Sequence, residues 1–302
     1  MLWDNIVGVG AISLFDVTLR DGLQGQPPLP YHEKKALFQR ILNKGRSTSI
    51  EVGSLVSPRV VPQMEDSLRL FRFADELVEA RRSVRSQFPS GRPCHPDLFM
   101  LVPPNDFYFT QARKERIANI SVPASLSEAF QQKNVRKSME ETYQIVSDSV
   151  MRREFRKMKV YLSCFNECPV SGERIKTPAI IDEIRRYAHL QGVSEVCLSD
   201  TIGSLGPIRF YEILETISAS DIPVHKLSLH LHARSPDVSR HVAMLAMQAG
   251  ICRFDISHVD SGGCSVTLTK GELCPNMSFD DIRQSADAMN MKIVQPKLEF
   301  AV

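Results

Sequence analysis

Short apolar runs alternate with amphipathic segments along the whole chain. Eight runs rich in β-branched, leucine and aromatic residues have the length and alternation of strands, and these are ISLFDVTL, STSIEVG, DLFMLVP, ANISVP, KVYLSCF, SEVCLSD, LSLHLHA and CRFDISH. Between them apolar residues recur at helical spacing, and three predicted helices end at Gly45, Gly192 and Gly250, each leading into the next strand. Eight strands alternating with helices, without a linker, predict a single α/β domain over residues 1–302, folded as a (β/α)8 TIM barrel. A doubly wound open sheet is the alternative.

The predicted seventh strand, LSLHLHA, places two histidines on one face. Side chains alternate between the two faces of a strand, so His230 and His232 share one face and the leucines around them share the other. Two adjacent imidazoles repel each other when protonated, and both need partners when they are buried. A metal ion satisfies both requirements at once, whereas a lone histidine is more often an ordinary core or surface residue.

Further polar side chains follow the ends of other predicted strands, and the carboxyl ends of all strands meet at one face of a TIM barrel. These residues are Arg20, Asp21 and Gln24 after the first strand, Glu51 in the second, Asp200 at the end of the sixth, and Cys264 and Asn276 after the eighth. Taken alone, each has an ordinary structural explanation, such as a turn residue for Asp21, an ion-pair partner for Glu51 or a helix cap for Asn276. Together, two neutral imidazoles with carboxylate and amide oxygens suit an open octahedral cation such as Mg²⁺ or Mn²⁺ better than a closed zinc site.

Composition and charge narrow the class of protein. The 302 residues are 43% hydrophobic and 24% charged, as in ordinary globular proteins, and a net charge of +2 does not supply the concentrated basic field that nucleic-acid binding needs. No apolar run approaches the roughly 20 residues of a membrane span, and the first residues lack the pattern of a secretion signal. Seven scattered cysteines fit reduced thiols. We therefore expect a cytoplasmic protein that binds neither nucleic acid nor a membrane.

With these residues assembled, the chain resembles the DRE-TIM metallolyase superfamily, and within it the 3-hydroxy-3-methylglutaryl-CoA lyases. The resemblance runs over nearly the whole sequence, because several motifs follow in the family's order. They are RDGLQ at 20–24, IEVGSLVSPRVVPQMED at 50–66, FQQKNVRKSMEET at 130–142, YLSCFNECPVSG at 161–172, LSDTIGSLGP at 198–207, LHLH at 229–232 and GGC at 262–264.

The resemblance implies a specific chemistry. Family lyases use a divalent cation in a (β/α)8 barrel to split 3-hydroxy-3-methylglutaryl-CoA into acetyl-CoA and acetoacetate. By this resemblance, the metal ligands are Asp21, His230, His232 and Asn276, and Arg20 stabilises the enolate charge. Cys264, on an active-site loop near 258–277, assists proton transfer, and Glu51 and Asp200 are polar supports of the reaction. The substrate-binding residues are Arg20, Gln24, Lys133 and Asn134. The partners implied are an acyl-CoA substrate and, in a homodimer, a second copy of the chain.

Some segments depart from the family's pattern around the predicted substrate site. ARSPD follows His232 where the family has Asp-Thr-Tyr-Gly, and Pro275 precedes Asn276 where its backbone restriction could displace that ligand. These changes affect the expected substrate more than the expected metal. Two alternatives therefore stay beside the lyase: a related 2-oxo acid aldolase or Claisen-type acyltransferase, and a barrel that has lost catalysis and acts as a binding protein. The Gly-Gly-Cys motif favours the lyase.

Overall fold

Eight parallel strands close into a barrel in this protein. The computed structural model describes residues 11–85, 95–232, 234–263 and 273–295. The strands are β1 Ser13–Asp16, β2 Ser49–Ser54, β3 Asp97–Leu101, β4 Asn119–Ser125, β5 Lys157–Ser163, β6 Val193–Asp200, β7 Leu227–Leu231 and β8 Arg253–Ile256. The helices are α1 Tyr31–Lys44, α2 Ser67–Arg85, α3 Asp106–Lys114, α4 Glu128–Val135, α5 Met139–Met151, α6 Thr177–Ala188, α7 Pro207–Ser218, α8 Pro236–Gln248 and α9 Phe279–Ala288.

The barrel is closed by the first and last strands. Each strand pairs with the next along the chain, and β1 also pairs in parallel with β8, with Ser13 opposite Arg253 and Asp16 opposite Ile256. The predicted (β/α)8 barrel is thus confirmed, and the open-sheet alternative is wrong. In the described part of the chain, no helix is long and apolar enough to cross a membrane.

The two faces of each strand have different surroundings. On β7 the side chains of Leu227, Leu229 and Leu231 belong to the main apolar core, which lies between the strands and the surrounding helices. The alternate residues face the interior of the barrel, where Ser199 on β6 lies beside His230. The inner face of β7 is therefore polar at the positions that sequence alternation assigns to it.

Glycines end two of the predicted helices but not the third. Gly45 and Gly250 follow α1 and α8 with positive φ angles of 57° and 84°, the left-handed geometry that favours glycine. The predicted end of α6 at Gly192 is wrong, because the helix ends at Ala188. Gly192 is needed for a close approach instead: a Cβ there would lie 2.7 Å from Val150 Cγ1.

Candidate active site

A short π-helix presents the first two site residues. It spans Thr18–Gly22, directly after β1, and it carries Arg20 and Asp21 on buried positions. Asp16 accepts a hydrogen bond from the Thr18 backbone N–H at 2.9 Å, which fixes the start of this turn. Single π-helical turns are rare in proteins, and those that occur are often found at functional sites. The turn places the Asp21 carboxylate inside the mouth of the barrel.

The two histidines of β7 lie next to each other on the inner wall. His230 Nε2 and His232 Nε2 are 3.1 Å apart, and each lies 3.9 Å from Asp21 Oδ2. One ligand atom from each of the three residues falls within 4.8 Å of the others, and all three residues are buried. The predicted convergence of these residues is therefore present, and the cluster has the composition and spacing of a site that could hold a metal ion.

Hydrogen bonds behind the imidazoles fix their tautomers. His230 Nδ1 contacts Asp255 Oδ2 at 3.1 Å, and His232 Nδ1 contacts the Cys274 carbonyl oxygen at 2.9 Å. Carboxylate and carbonyl oxygens only accept hydrogen bonds, so each Nδ1 carries a proton and each Nε2 of a neutral ring has a free lone pair. Two lone pairs that face each other at 3.1 Å repel, and a cation between them removes the repulsion. The donor set thus fits a metal ion.

Asn276 reaches the same cluster from the segment that follows β8. Its Nδ2 donates to Asp21 Oδ2 at 2.8 Å, and a β-bridge joins its backbone to that of His232. Pro275 therefore does not move Asn276 away from the cluster. The Asn276 Oδ1 atom is buried and has no hydrogen-bond partner, so an oxygen suited to a hard cation is left available.

Neighbouring buried charges keep Arg20 and Asp21 ionised. Arg20 donates from Nη1 to Asp21 Oδ1 at 2.6 Å and from Nε to Glu51, which also accepts from the Ser121 hydroxyl. Burial by itself lowers the pKa of Arg20, but Glu51 and Asp21 raise it well above its ordinary value. Burial by itself raises the pKa of Asp21, but Arg20 and the two imidazoles lower it below its ordinary value.

His232 is neutral at physiological pH. Burial and the neighbouring His230 lower the pKa of His232 to about 4. The site therefore presents an anionic carboxylate, a neutral imidazole and a permanent guanidinium charge around the same point.

A cavity of about 740 Å³ lies above this cluster. Arg20, Asp21, His230 and His232 line it, together with the predicted substrate-binding residues Gln24, Lys133 and Asn134. Four cationic side chains also line it, namely Arg59, Lys133, Arg136 and Lys137. Among the described residues, no carboxylate lies within ion-pair distance of these four, which we call the basic cluster. The cavity lining thus contains both the candidate metal ligands and cationic side chains that can hold an anion.

Asp200 does not line this cavity. Its carboxylate accepts hydrogen bonds from the backbone N–H groups of Ser204 at 3.1 Å and Leu205 at 3.0 Å. Burial raises the pKa of Asp200 to about 6, although these two N–H groups partly oppose the shift. Its hydrogen bonds hold the turn between β6 and α7, and its carboxylate also interacts electrostatically with His230. Its expected role as a polar support of the reaction stays a prediction.

Cys264 lies outside the described residues, as does much of the loop near 258–277. The described part of that loop contacts the site directly, because the Gly263 N–H donates to Asp21 Oδ2 at 3.0 Å. Ser261 also donates its hydroxyl proton to the Gly22 carbonyl oxygen. Two points of the loop are thus attached to the π-helix that carries the predicted ligand.

A group of polar residues beneath the histidines was not among the predicted site residues. Asp255 accepts from His230, from the Tyr161 hydroxyl at 3.0 Å and from Lys159 Nζ at 2.5 Å. Lys159 also pairs with Glu195 at 2.9 Å. The signal was the one that identified the histidines: in KVYLSCF, Lys159 and Tyr161 alternate with apolar residues on a buried strand.

The chain is similar to proteins of known activity over most of its length. Residues 11–292 match the family model described as HMGL-like. The hydroxymethylglutaryl-CoA lyase of Pseudomonas mevalonii is 30% identical over 257 residues, which span 84% of this chain and 78% of that protein.

Solved structures agree with that match. An HMG-CoA lyase from Brucella melitensis is 25% identical with a TM-score of 0.75, covering 94% of this chain and 92% of that chain. An HMG-CoA lyase from Acinetobacter baumannii, solved in complex with coenzyme A and 3-methylmalate, has a TM-score of 0.77 at 20% identity, covering 94% and 86%. The latter shows a shared fold, and the family match spans nearly all of the barrel. The chain therefore belongs to the HMGL-like family.

Proposed function

We propose that this protein is a metal-dependent carbon–carbon lyase that cleaves a 3-hydroxyacyl-CoA of the 3-hydroxy-3-methylglutaryl type. The products are acetyl-CoA and a 3-oxo acid such as acetoacetate. The observation that carries this proposal is the buried cluster of Asp21, His230 and His232, which lines one cavity together with the Arg20 guanidinium. Membership of the HMGL-like family supports it.

Asp21, His230, His232 and Asn276 would hold the cation, and we propose Mg²⁺ or Mn²⁺. The donor set mixes two imidazole nitrogens with carboxylate and amide oxygens, and it contains no thiolate, which favours these ions over a closed zinc site. When bound, such a cation lowers the pKa of a coordinated hydroxyl and orients a chelating substrate. The low pKa of Asp21 and the neutral His232 keep these ligands available near neutral pH.

Arg20 would stabilise the enolate that leaves. When the bond beside the tertiary alcohol breaks, its electron pair moves onto the thioester carbonyl oxygen of the departing acetyl-CoA enolate. Two nitrogens of Arg20 already donate to Asp21 and Glu51, and among the described residues none accepts from Nη2. That nitrogen is free to donate to the developing oxyanion, and the fixed guanidinium needs no rearrangement as the charge appears.

Two proton transfers complete the reaction without a net change in protons. The substrate hydroxyl loses its proton as the 3-oxo acid forms, and the enolate carbon gains one to become the acetyl methyl group. We propose the Cys264 thiol as the donor to carbon. The attachment of Gly263 to Asp21 supports this role, because Cys264 is the next residue in the chain.

The basic cluster would bind the phosphates of coenzyme A. Cationic side chains without carboxylate partners favour a polyanion over a neutral ligand, and phosphate is the anion that coenzyme A supplies. Lys133 and Asn134, predicted as substrate-binding residues, line the same cavity.

The deciding experiment is direct. The protein is stripped of metal, reloaded with Mg²⁺ or Mn²⁺, and incubated with 3-hydroxy-3-methylglutaryl-CoA while acetoacetate is measured. Cleavage that depends on added metal and is severely reduced in Cys264→Ala, with metal affinity unchanged, supports the proposal. A metal-loaded protein that leaves this thioester intact but cleaves a 4-hydroxy-2-oxo acid, or condenses acetyl-CoA with a 2-oxo acid, would instead identify the aldolase or the acyltransferase. Metal or thioester binding without any turnover would identify a binding protein.

A further inference from the structure

A buried ion pair lies behind the histidines on the inner wall of the barrel. Asp255 and Lys159 are 2% and 0% exposed, and Lys159 Nζ lies 2.5 Å from Asp255 Oδ1. A buried ion pair is seldom more stabilising than apolar residues of similar volume, because both charges lose their water. Stability alone therefore explains this pair poorly, and its contacts point to another purpose.

The two carboxylate oxygens of Asp255 face different partners. Oδ1 accepts from Lys159, while Oδ2 accepts from Tyr161 at 3.0 Å and faces His230 Nδ1 at 3.1 Å. Since Oδ2 can only accept, the His230 proton must sit on Nδ1. The Nε2 lone pair then faces Asp21 and His232, as a metal ligand requires.

We propose that Asp255, held in place by Lys159, is a positioning residue that keeps His230 in the tautomer with an unprotonated Nε2, and so sets the cation affinity of the cluster. This inference rests on the proposed function in one respect, that the cluster binds a divalent cation. It adds an assignment of two residues, one of them across the barrel on β5, that touch neither the cation nor the substrate.

The variant Asp255→Asn inverts one contact while keeping the shape of the side chain. Lys159 only donates, so it orients the new amide with its oxygen towards Nζ and its NH₂ group towards His230. His230 must then accept at Nδ1 and carry its proton on Nε2, which points at the cluster. We expect Mn²⁺ affinity to fall about 10- to 100-fold.

A second substitution separates this mechanism from simple damage to the interior. In the double variant Lys159→Met with Asp255→Asn, the lysine that held the amide oxygen away from His230 is gone, while the Tyr161 hydroxyl still donates on the His230 side. The amide oxygen can then turn to His230, and most of the Mn²⁺ affinity should return. Tyr161→Phe is the matched control, because it removes another donor to the same oxygen without changing the group that faces His230. We expect it to bind Mn²⁺ like the wild type.

Mn²⁺ affinity would be measured by the electron paramagnetic resonance signal of free Mn²⁺, with circular dichroism as the check on folding. Long-range ¹H–¹⁵N spectra of the metal-free wild type report the His230 tautomer directly, so the test does not depend on how the variants fold. A proton on Nδ1, a weakened Asp255→Asn and a recovered double variant support the inference. A proton on Nε2, an Asp255→Asn variant with wild-type affinity, or a double variant no better than the single one overturns it. A wild type that binds no Mn²⁺ overturns the proposed metal centre as well, which distinguishes the two failures.

Discussion

Gly262→Ala tests how tightly the loop after β8 must pack against the metal cluster. A Cβ at this position would fall inside contact distance of Asn276 Nδ2 and 2.8 Å from Asp21 Oδ2. Both atoms belong to predicted metal ligands, and both are buried. The nearest contacts of one added methyl group are therefore with two predicted ligands.

The size of the effect follows from the geometry. Carbon and nitrogen atoms in ordinary contact lie about 3.5 Å apart, so the Asn276 amide must retreat by roughly 1 Å. A displacement of that size in a catalytic site costs about 100-fold in rate, which corresponds to about 2.7 kcal/mol of transition-state stabilisation. Overpacking costs typically about 1–3 kcal/mol of stability, so the variant should remain folded.

The assay compares Gly262→Ala with Gly206→Ala. A Cβ at Gly206 meets nothing within 4 Å, and its φ of −94° suits any residue. We expect Mn²⁺ affinity, measured by calorimetry, and kcat/KM for the thioester to fall only in Gly262→Ala. If Gly262→Ala binds metal and turns over substrate like the wild type, Asn276 and Asp21 do not act as ligands in the arrangement described above. Equal losses in both variants would also refute the reasoning.

Three other changes give separate tests. Arg20→Met should abolish cleavage. Because it leaves the buried Glu51 and Asp21 without their cation, it should also lower the unfolding free energy by about 3–5 kcal/mol in urea melts. Arg20→Lys should recover part of the stability but little turnover, and normal turnover with lysine would exclude a need for the guanidinium. His232→Ala should lose the rise in Tm that excess Mn²⁺ gives the wild type. At 100 times Kd, bound Mn²⁺ stabilises the folded wild type by about 2.7 kcal/mol. An equal rise in Tm in both proteins would contradict a role for His232 as a ligand. In the metal-free protein, burial raises the pKa of Asp200 to about 6, above its ordinary value of 3.8. The folded state therefore binds this proton more tightly, and the unfolding free energy should fall by about 2 kcal/mol as the pH rises from 4 to 6. Asp200→Asn should lack that decline, and parallel pH profiles of the two proteins would count against the shift.

Local alternation was enough to predict most of the site. The position of Glu51 between Ile50 and Val52 assigns it to the interior, and there it pairs with Arg20. The histidines followed from the same two-residue period. Eight strands with helices between them predicted the barrel, because few other arrangements bury both faces of so many parallel strands.

Contacts that depend on the register between distant strands could not be predicted. Lys159 and Asp255 are separated by 96 positions, and their meeting depends on how β5 and β8 are staggered around the barrel. Asp200 is a related case, since its place at the end of a strand was predicted, but its hydrogen bonds to the turn that follows were not. The cytoplasmic location and the homodimer stay predictions.

Asp21 and Asn276 are separated by 255 positions and are joined by a hydrogen bond only where the first and last strands meet. A chain emerging from the ribosome therefore cannot assemble the ligand set until its final strand has been synthesised and has docked. Incomplete chains should not bind Mn²⁺ at this site. During refolding, the rate of Mn²⁺ binding would report the rate at which the barrel closes. Excess divalent ion should accordingly slow the opening of the seam between β1 and β8 before it affects any other part of the molecule.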